Sequence, residues 1–183
     1  MTNTLETATL AGGCFWCTEA IFRRLKGVEF ITSGYAGKGQ KPTFEKVSKG
    51  EAKFVEAIQI KFNPNIISFE HLLDIFWATH DPTTLNRQDY DIGLQYRSAI
   101  FYHTNQQKQA ALKSKQQMEK SKQLNNKIVT AIEPFTNFYT AEEYHQKYYE
   151  TYKDINPYCS IIIDPKIEKI LTKFNSDVKE EYK

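Results

Sequence analysis

Two hydrophobic periods alternate from Thr4 to His103 in the order strand, helix, strand, strand, helix, strand, and that order leaves few ways to fold. Thr4 to Leu10 reads as a strand, broken by Gly12-Gly13. A helical pattern follows through Ala20, Ile21, Phe22 and Leu25 and stops at Gly27. Val28 to Tyr35 reads as a second strand. Lys53 to Phe62 is the clearest one, because Phe54, Ile58, Ile60 and Phe62 share a face at a period of two. Pro64 ends it, and Ser68 can cap a helix carrying Leu72, Leu73, Ile75, Phe76 and Trp77. Ser98 to His103 is the fourth strand. This succession is the split βαβ, or ferredoxin-like, arrangement. It predicts an α+β fold, a roll whose helices cover one face of a mainly antiparallel sheet.

The remainder is less regular. Lys38–Gly50 and His80–Arg97 read as long loops, Asn105–Gln123 as a helix, Lys127–Glu133 as a fifth strand and Ala141–Tyr149 as a helix. With Pro134, Pro157 and Pro165 as punctuation, 134–183 is expected to be a largely irregular tail whose charged end, Asp164–Lys183, frays. A chain of 183 residues suits one domain, 1–183.

Composition narrows the function. Aromatic residues make up 14%, enough apolar surface to fold, and the net charge of +2 gives no global field for nucleic acid or an acidic membrane. No apolar run approaches the roughly 18 residues of a membrane span. The start, Met1 to Glu6, lacks the basic flank and apolar stretch of a signal peptide, so the expected location is cytoplasmic. Three cysteines do not make a disulfide framework; if they matter, they act as thiols.

Cys14 stands at the Gly12-Gly13 break, where a strand gives way to a helix, with Phe15, Trp16 and Cys17 directly after it. A helix start carries partial positive charge and free N–H groups, which favour a thiolate. The plainer alternative is a pair of small buried cysteines. Glu56 shares the apolar face of its strand, where a carboxylate does not belong unless paired or protonated. Burial there would raise its pKa and make it a proton donor near neutrality; an ion-paired Glu at the sheet rim is the alternative. His80–Arg97 is dense in hydrogen-bonding groups, and an unpatterned stretch of that length is usually functional. The histidines at 71, 80, 103 and 145 show no ligand spacing. A zinc site of Cys14, Cys17, Cys159 and His145 is conceivable but has only one Cys-x-x-Cys pair behind it, and His145 reads better as a residue that packs or stands one layer behind the site. The lysines of Asn105–Gln123 lack interleaved aromatics and read as a solvated helix face.

These residues resemble the peptide methionine sulfoxide reductase A family. The likeness runs through Gly13-Cys14-Phe15-Trp16, Tyr35-Ala36-Gly37, Pro42–Val47, His80–Thr83, Asn86-Arg87-Gln88, Asp91-Ile92-Gly93, Gln95–Ile100, Ala141–Gln146 and Tyr158-Cys159. It implies an α+β roll and an enzyme that reduces the S epimer of methionine sulfoxide, free or in proteins. Cys14 would attack the sulfoxide sulfur, Glu56 would protonate its oxygen, Tyr96 would hydrogen-bond that oxygen, and Asp91 would help hold the site. Phe15 and Trp16 would receive the S-methyl group, and Cys159 would resolve the sulfenic acid. Thioredoxin would be the reductant, with no metal or bound organic cofactor, and the protein is expected to work as a monomer.

Three positions depart from the family pattern. Phe44 stands where a second oxygen-binding Tyr is usual, so a weaker enzyme is expected. Lys53-Phe54-Val55-Glu56 replaces Gly-His-Ala-Glu. Cys17 adds a thiol where many members have Gly, leaving open whether it or Cys159 is the resolver. Two other functions fit parts of the pattern: a general dithiol–disulfide oxidoreductase using Cys14 and Cys17, and a non-catalytic sulfoxide-binding module.

Overall fold

The computed structural model describes residues 4–183; Met1–Asn3, part of the stretch read for a signal peptide, lie outside it. The first half builds β1 (Glu6–Ala11), α1 (Phe15–Arg23), β2 (Val28–Gly37), α2 (Phe44–Ser48), β3 (Phe54–Phe62) and α3 (Phe69–Thr79). Two short strands, β4 (Arg87–Gln88) and β5 (Asp91–Ile92), pair in the long loop and precede β6 (Ala99–Tyr102) and α4 (Asn105–Lys120). The last third holds β7 (Ala131–Pro134), β8 (Asn137–Thr140), α5 (Tyr148–Tyr152), a π-helical turn over Cys159–Ile163 and α6 (Asp164–Lys173).

The main sheet has the order β7-β6-β1-β3-β2-β8. Its centre, β6-β1-β3-β2, is antiparallel throughout and is the ferredoxin-like order expected from the element succession. β7 joins one edge parallel to β6, and β8 joins the other antiparallel to β2. The even residues of β3 point into the main core with Ile21 and Phe22 of α1, Leu72 and Phe76 of α3, and Ile170 of α6. The opposite face carries small residues, Ala36, Val55, Ala57 and Ala99, covered by Phe135 and Phe138.

Three expectations are corrected. Lys38–Gly50 is not all loop, because Thr43 caps the single-turn α2 by accepting the Lys46 N–H. Ala141–Tyr149 is not one helix: Lys147 takes φ +51, the left-handed region, and separates a 3₁₀ turn from α5. The segment 134–183 is largely structured. Ile167 and Ile170 give α6 a buried stripe, and Arg24, at the C-cap of α1, bonds Glu150 of α5 at 2.9 Å.

Candidate active site

β1 and β3 place the two principal residues side by side. Their last paired rung is Leu10 with Ile58, so Glu56 lies just past the end of β1, where the chain turns towards Cys14. Gly13 makes that turn at φ +91, and a Cβ there would sit 2.5 Å from the Cβ of Gln88. Cys14 is the N-cap of α1, and the next residue, Phe15, donates its backbone N–H to Glu56 Oε2 at 3.0 Å. Glu56 is 5% exposed. Burial pushes its carboxyl up from 4.5 to about 8; the Phe15 N–H opposes this, and the charges of Asp91 and Cys17 add to it. Glu56 is thus a buried carboxyl whose burial favours the protonated form at neutral pH.

At Cys14, burial works against the thiolate form that a helix start favours. Its sulfur is raised well above the ordinary thiol value, first by burial, then by donating its proton to Cys17 and by the charges of Cys17 and Glu56. Cys17 is lowered by accepting from Cys14, against its own burial, with help from the Lys166 cation. All three cysteines are free and buried, and they lie in one apolar cluster with Tyr96, Tyr148 and Tyr158.

The long loop delivers Asp91 and Tyr96. His80 anchors its start through Phe76 O at 2.6 Å and Ser98 Oγ at 2.8 Å. Asp91, raised by burial, accepts from the Tyr158 hydroxyl at 2.6 Å. Tyr96 is half-buried, and its phenol is held protonated by burial and by the nearby Glu56, Cys14 and Asp91. Lys166 on α6 bonds Asp89 at 2.6 Å and closes this ring of charges.

Phe15, Trp16 and Phe44 converge on His145, with ring centroids 5.0, 5.7 and 4.9 Å away. Cys14 and the indole beside it are covered, however. Tyr148 stacks on Trp16 at 3.6 Å, Tyr158 meets its edge at 5.7 Å, and Cys14 is 7% exposed. A cleft of about 860 Å³ lies elsewhere, between Trp77, the 80–89 loop and α6. Among the described residues, no group of three or more His, Cys, Asp or Glu side chains is placed to hold a metal ion, so the zinc reading finds no support. No helix among them is long and apolar enough to cross a membrane.

Two members of the site were not singled out from sequence. Tyr35 pairs with Glu56 across β2 and β3 and donates to Glu142 Oε2 at 2.9 Å. Tyr158 covers the thiols from 141 positions beyond Cys17, with its hydroxyl 3.7 Å from the Cys17 sulfur. Only the quoted Tyr35-Ala36-Gly37 and Tyr158-Cys159 motifs pointed to them.

Paired thiols, a third thiol in the same cluster and a protonated carboxyl against the first helical turn define a thiol-based oxidoreductase. The family model for peptide methionine sulfoxide reductase matches residues 6–179. Peptide methionine sulfoxide reductase MsrA of Nitratiruptor sp. is 52% identical over 92% of this chain and 96% of that protein. Its counterpart in Sulfolobus acidocaldarius is 47% identical over 93% and 96%. Among solved structures, reduced Mxr1 from Saccharomyces cerevisiae superposes with a TM-score of 0.78 at 35% identity, covering 85% of this chain and 90% of that one. Mxr1 in complex with Trx2 gives 0.58 at 33% identity, covering 81% and 87%. The chain belongs to the peptide methionine sulfoxide reductase MsrA family and is an enzyme of that class.

Proposed function

We propose that the protein reduces the S epimer of methionine sulfoxide, free or in proteins, with Cys14 as nucleophile and Glu56 as acid. The observation that carries this is the Phe15 N–H bond to Glu56, which ties a protonated carboxyl to the residue next to the reacting sulfur. A sulfoxide oxygen leaves poorly until protonated, so attack and proton donation must coincide. Tyr96, still carrying its proton, donates a hydrogen bond to that oxygen, and Asp91 holds the surrounding network. Phe15 and Trp16 receive the methyl group once Tyr148 and Tyr158 leave the indole.

The step moves one oxygen from substrate to enzyme: Glu56 gives its proton to the oxygen and takes up the one Cys14 releases, the thioether departs, and Cys14 is oxidised by two electrons to the sulfenic acid. Cys17, already in contact with Cys14 and biased towards its thiolate, displaces the hydroxyl as water and forms the Cys14–Cys17 disulfide. Cys159, in the same cluster, then exchanges with that bond, freeing Cys14 and passing the disulfide to the C-terminal segment. A dithiol protein of the thioredoxin class reduces it. Free thiols and a dithiol reductant suit a reducing, cytoplasmic setting.

The test incubates the reduced protein with each epimer of a methionine sulfoxide peptide and dithiothreitol. Methionine should form from the S epimer alone. Contact between Cys14 and Cys17 also suits a general disulfide reductase; insulin reduction with neither epimer consumed would favour that reading instead.

A further inference from the structure

We propose that His145 is a positioning residue for the methyl pocket: it holds the Trp16 indole by its N–H edge, and Gln146 holds His145. The proposal rests on the reading above that Trp16 lines the substrate's methyl group.

Trp16 Nε1 donates to His145 Nδ1 at 3.1 Å. That bond needs a lone pair on Nδ1, so the neutral ring carries its proton on Nε2. Nε2 is buried with no hydrogen-bond partner and lies 3.9 Å from Glu142 Oε2, the oxygen that accepts from Tyr35. The negative carboxylate favours the Nε2–H tautomer that leaves Nδ1 free to accept. The imidazole is 1% exposed and wedged against Phe15, Phe44 and Tyr144.

Its backbone is fixed from both sides. The β2–β8 pairing ends at Gly34 with Thr140, and the Gln146 side chain continues it. Gln146 Oε1 accepts from Ser33 N at 2.9 Å, and its Nε2 donates to Ser33 O at 2.9 Å and Ala141 O at 3.0 Å. One residue on, Lys147 N donates to Glu19 Oε1 at 3.0 Å, on the helix that carries Trp16. The ring that grips the indole is thus pinned to the sheet and to α1, whereas Tyr148 only stacks on the indole face. Tyr148 can leave for substrate while the indole keeps its angle.

A packing role and a positioning role predict opposite mutant orders. Packing needs volume, so His145→Phe would be mild and His145→Asn worse. Positioning needs an acceptor where Nδ1 sits; the Asn carbonyl oxygen supplies one, and Phe does not. Two readouts test this on the full chain. The first is the indole N–H signal in ¹⁵N NMR, with Trp77, bonded to Ser114 Oγ at 2.7 Å, as the internal control for folding. The Trp16 signal should shift upfield and exchange faster with solvent in His145→Phe and return towards wild type in His145→Asn. The second is KM and kcat for S-methyl against S-ethyl sulfoxides. His145→Phe should raise the methyl KM about 2- to 10-fold, the worth of one neutral hydrogen bond. The methyl-over-ethyl preference should narrow, kcat should change less, and His145→Asn should restore the preference. If the Phe variant loses the Trp77 signal, Asn against Gln gives the same contrast, because the Gln oxygen lies one bond too far out. Wild-type preference for methyl with an unmoved ratio or Trp16 signal in His145→Phe overturns this proposal alone. A wild type that treats methyl and ethyl alike overturns the pocket reading and the proposal with it.

Discussion

Replacing Glu56 by Gln separates what one buried carboxyl does for chemistry from what it costs the fold. Glu56 sits on β3 between Phe54 and Ile58 in the even-residue row, and it accepts the Phe15 backbone N–H. In the unfolded chain it ionises near 4.5; in the folded protein it keeps its proton to about 8. The folded state therefore binds a proton that the unfolded state releases between those values. Its contribution to stability is full below pH 4.5 and is lost as pH rises to about 8. At about 1.4 kcal/mol per pH unit, the loss at pH 7 is about 3 kcal/mol. Gln has nearly the same shape, cannot ionise, and its oxygen can still accept from Phe15. Glu56→Gln should match wild type in urea unfolding near pH 4.5 and exceed it by about 3 kcal/mol at pH 7. The same change should slow single-turnover methionine formation about 10²- to 10⁴-fold, the usual worth of a positioned acid. The wild-type rate should fall above pH 8 as the proton is lost, and the variant's residual rate should lack that limb. A Gln variant that is less stable than wild type at pH 7 and keeps its rate would refute the reasoning.

Phe44→Tyr should speed the chemical step about 2- to 10-fold by adding a phenol at a position 4.9 Å from the His145 ring, read by single-turnover kinetics. Cys17→Ser and Cys159→Ser should each complete one turnover; in Cys159→Ser, peptide mass spectrometry should find Cys14 joined to Cys17, and in Cys17→Ser a persistent Cys14 sulfenic acid. His80, half-buried, is lowered from 6.5 to about 4 by desolvation. Its contribution to stability is present above pH 6.5 and lost as pH falls to about 4, up to about 3 kcal/mol, so urea unfolding of His80→Gln should show a shallower loss across that range.

The centre of the fold was legible because β3 puts its large apolar side chains, Phe54, Ile58, Ile60 and Phe62, on one face and small ones such as Val55 and Ala57 on the other. Glu56 stood out for the same reason, as a carboxylate on the row of Phe54, Ile58 and Ile60. The edges were not legible. β8 is four residues, Asn-Phe-Tyr-Thr, too short for a period, and α6 hides its two buried isoleucines among charges. The site was half legible. Gly12-Gly13-Cys14 marks the helix start, but the protonation of Cys14 depends on what covers it, and that cover, Tyr148 and Tyr158, comes from the far end of the chain. Local reasoning about helix ends assumed a solvated sulfur with free N–H groups. Burial works in the opposite direction.

The most direct measurement of the central claim is a single turnover of Cys17→Ser/Cys159→Ser with S-sulfoxide peptide, quenched into a sulfenic-acid trap and mapped by mass spectrometry. One equivalent of methionine with the trap on Cys14, and neither in the further Cys14→Ser variant, is the predicted result. Methionine formed without label at Cys14, or formed equally when Cys14 is Ser, would contradict it.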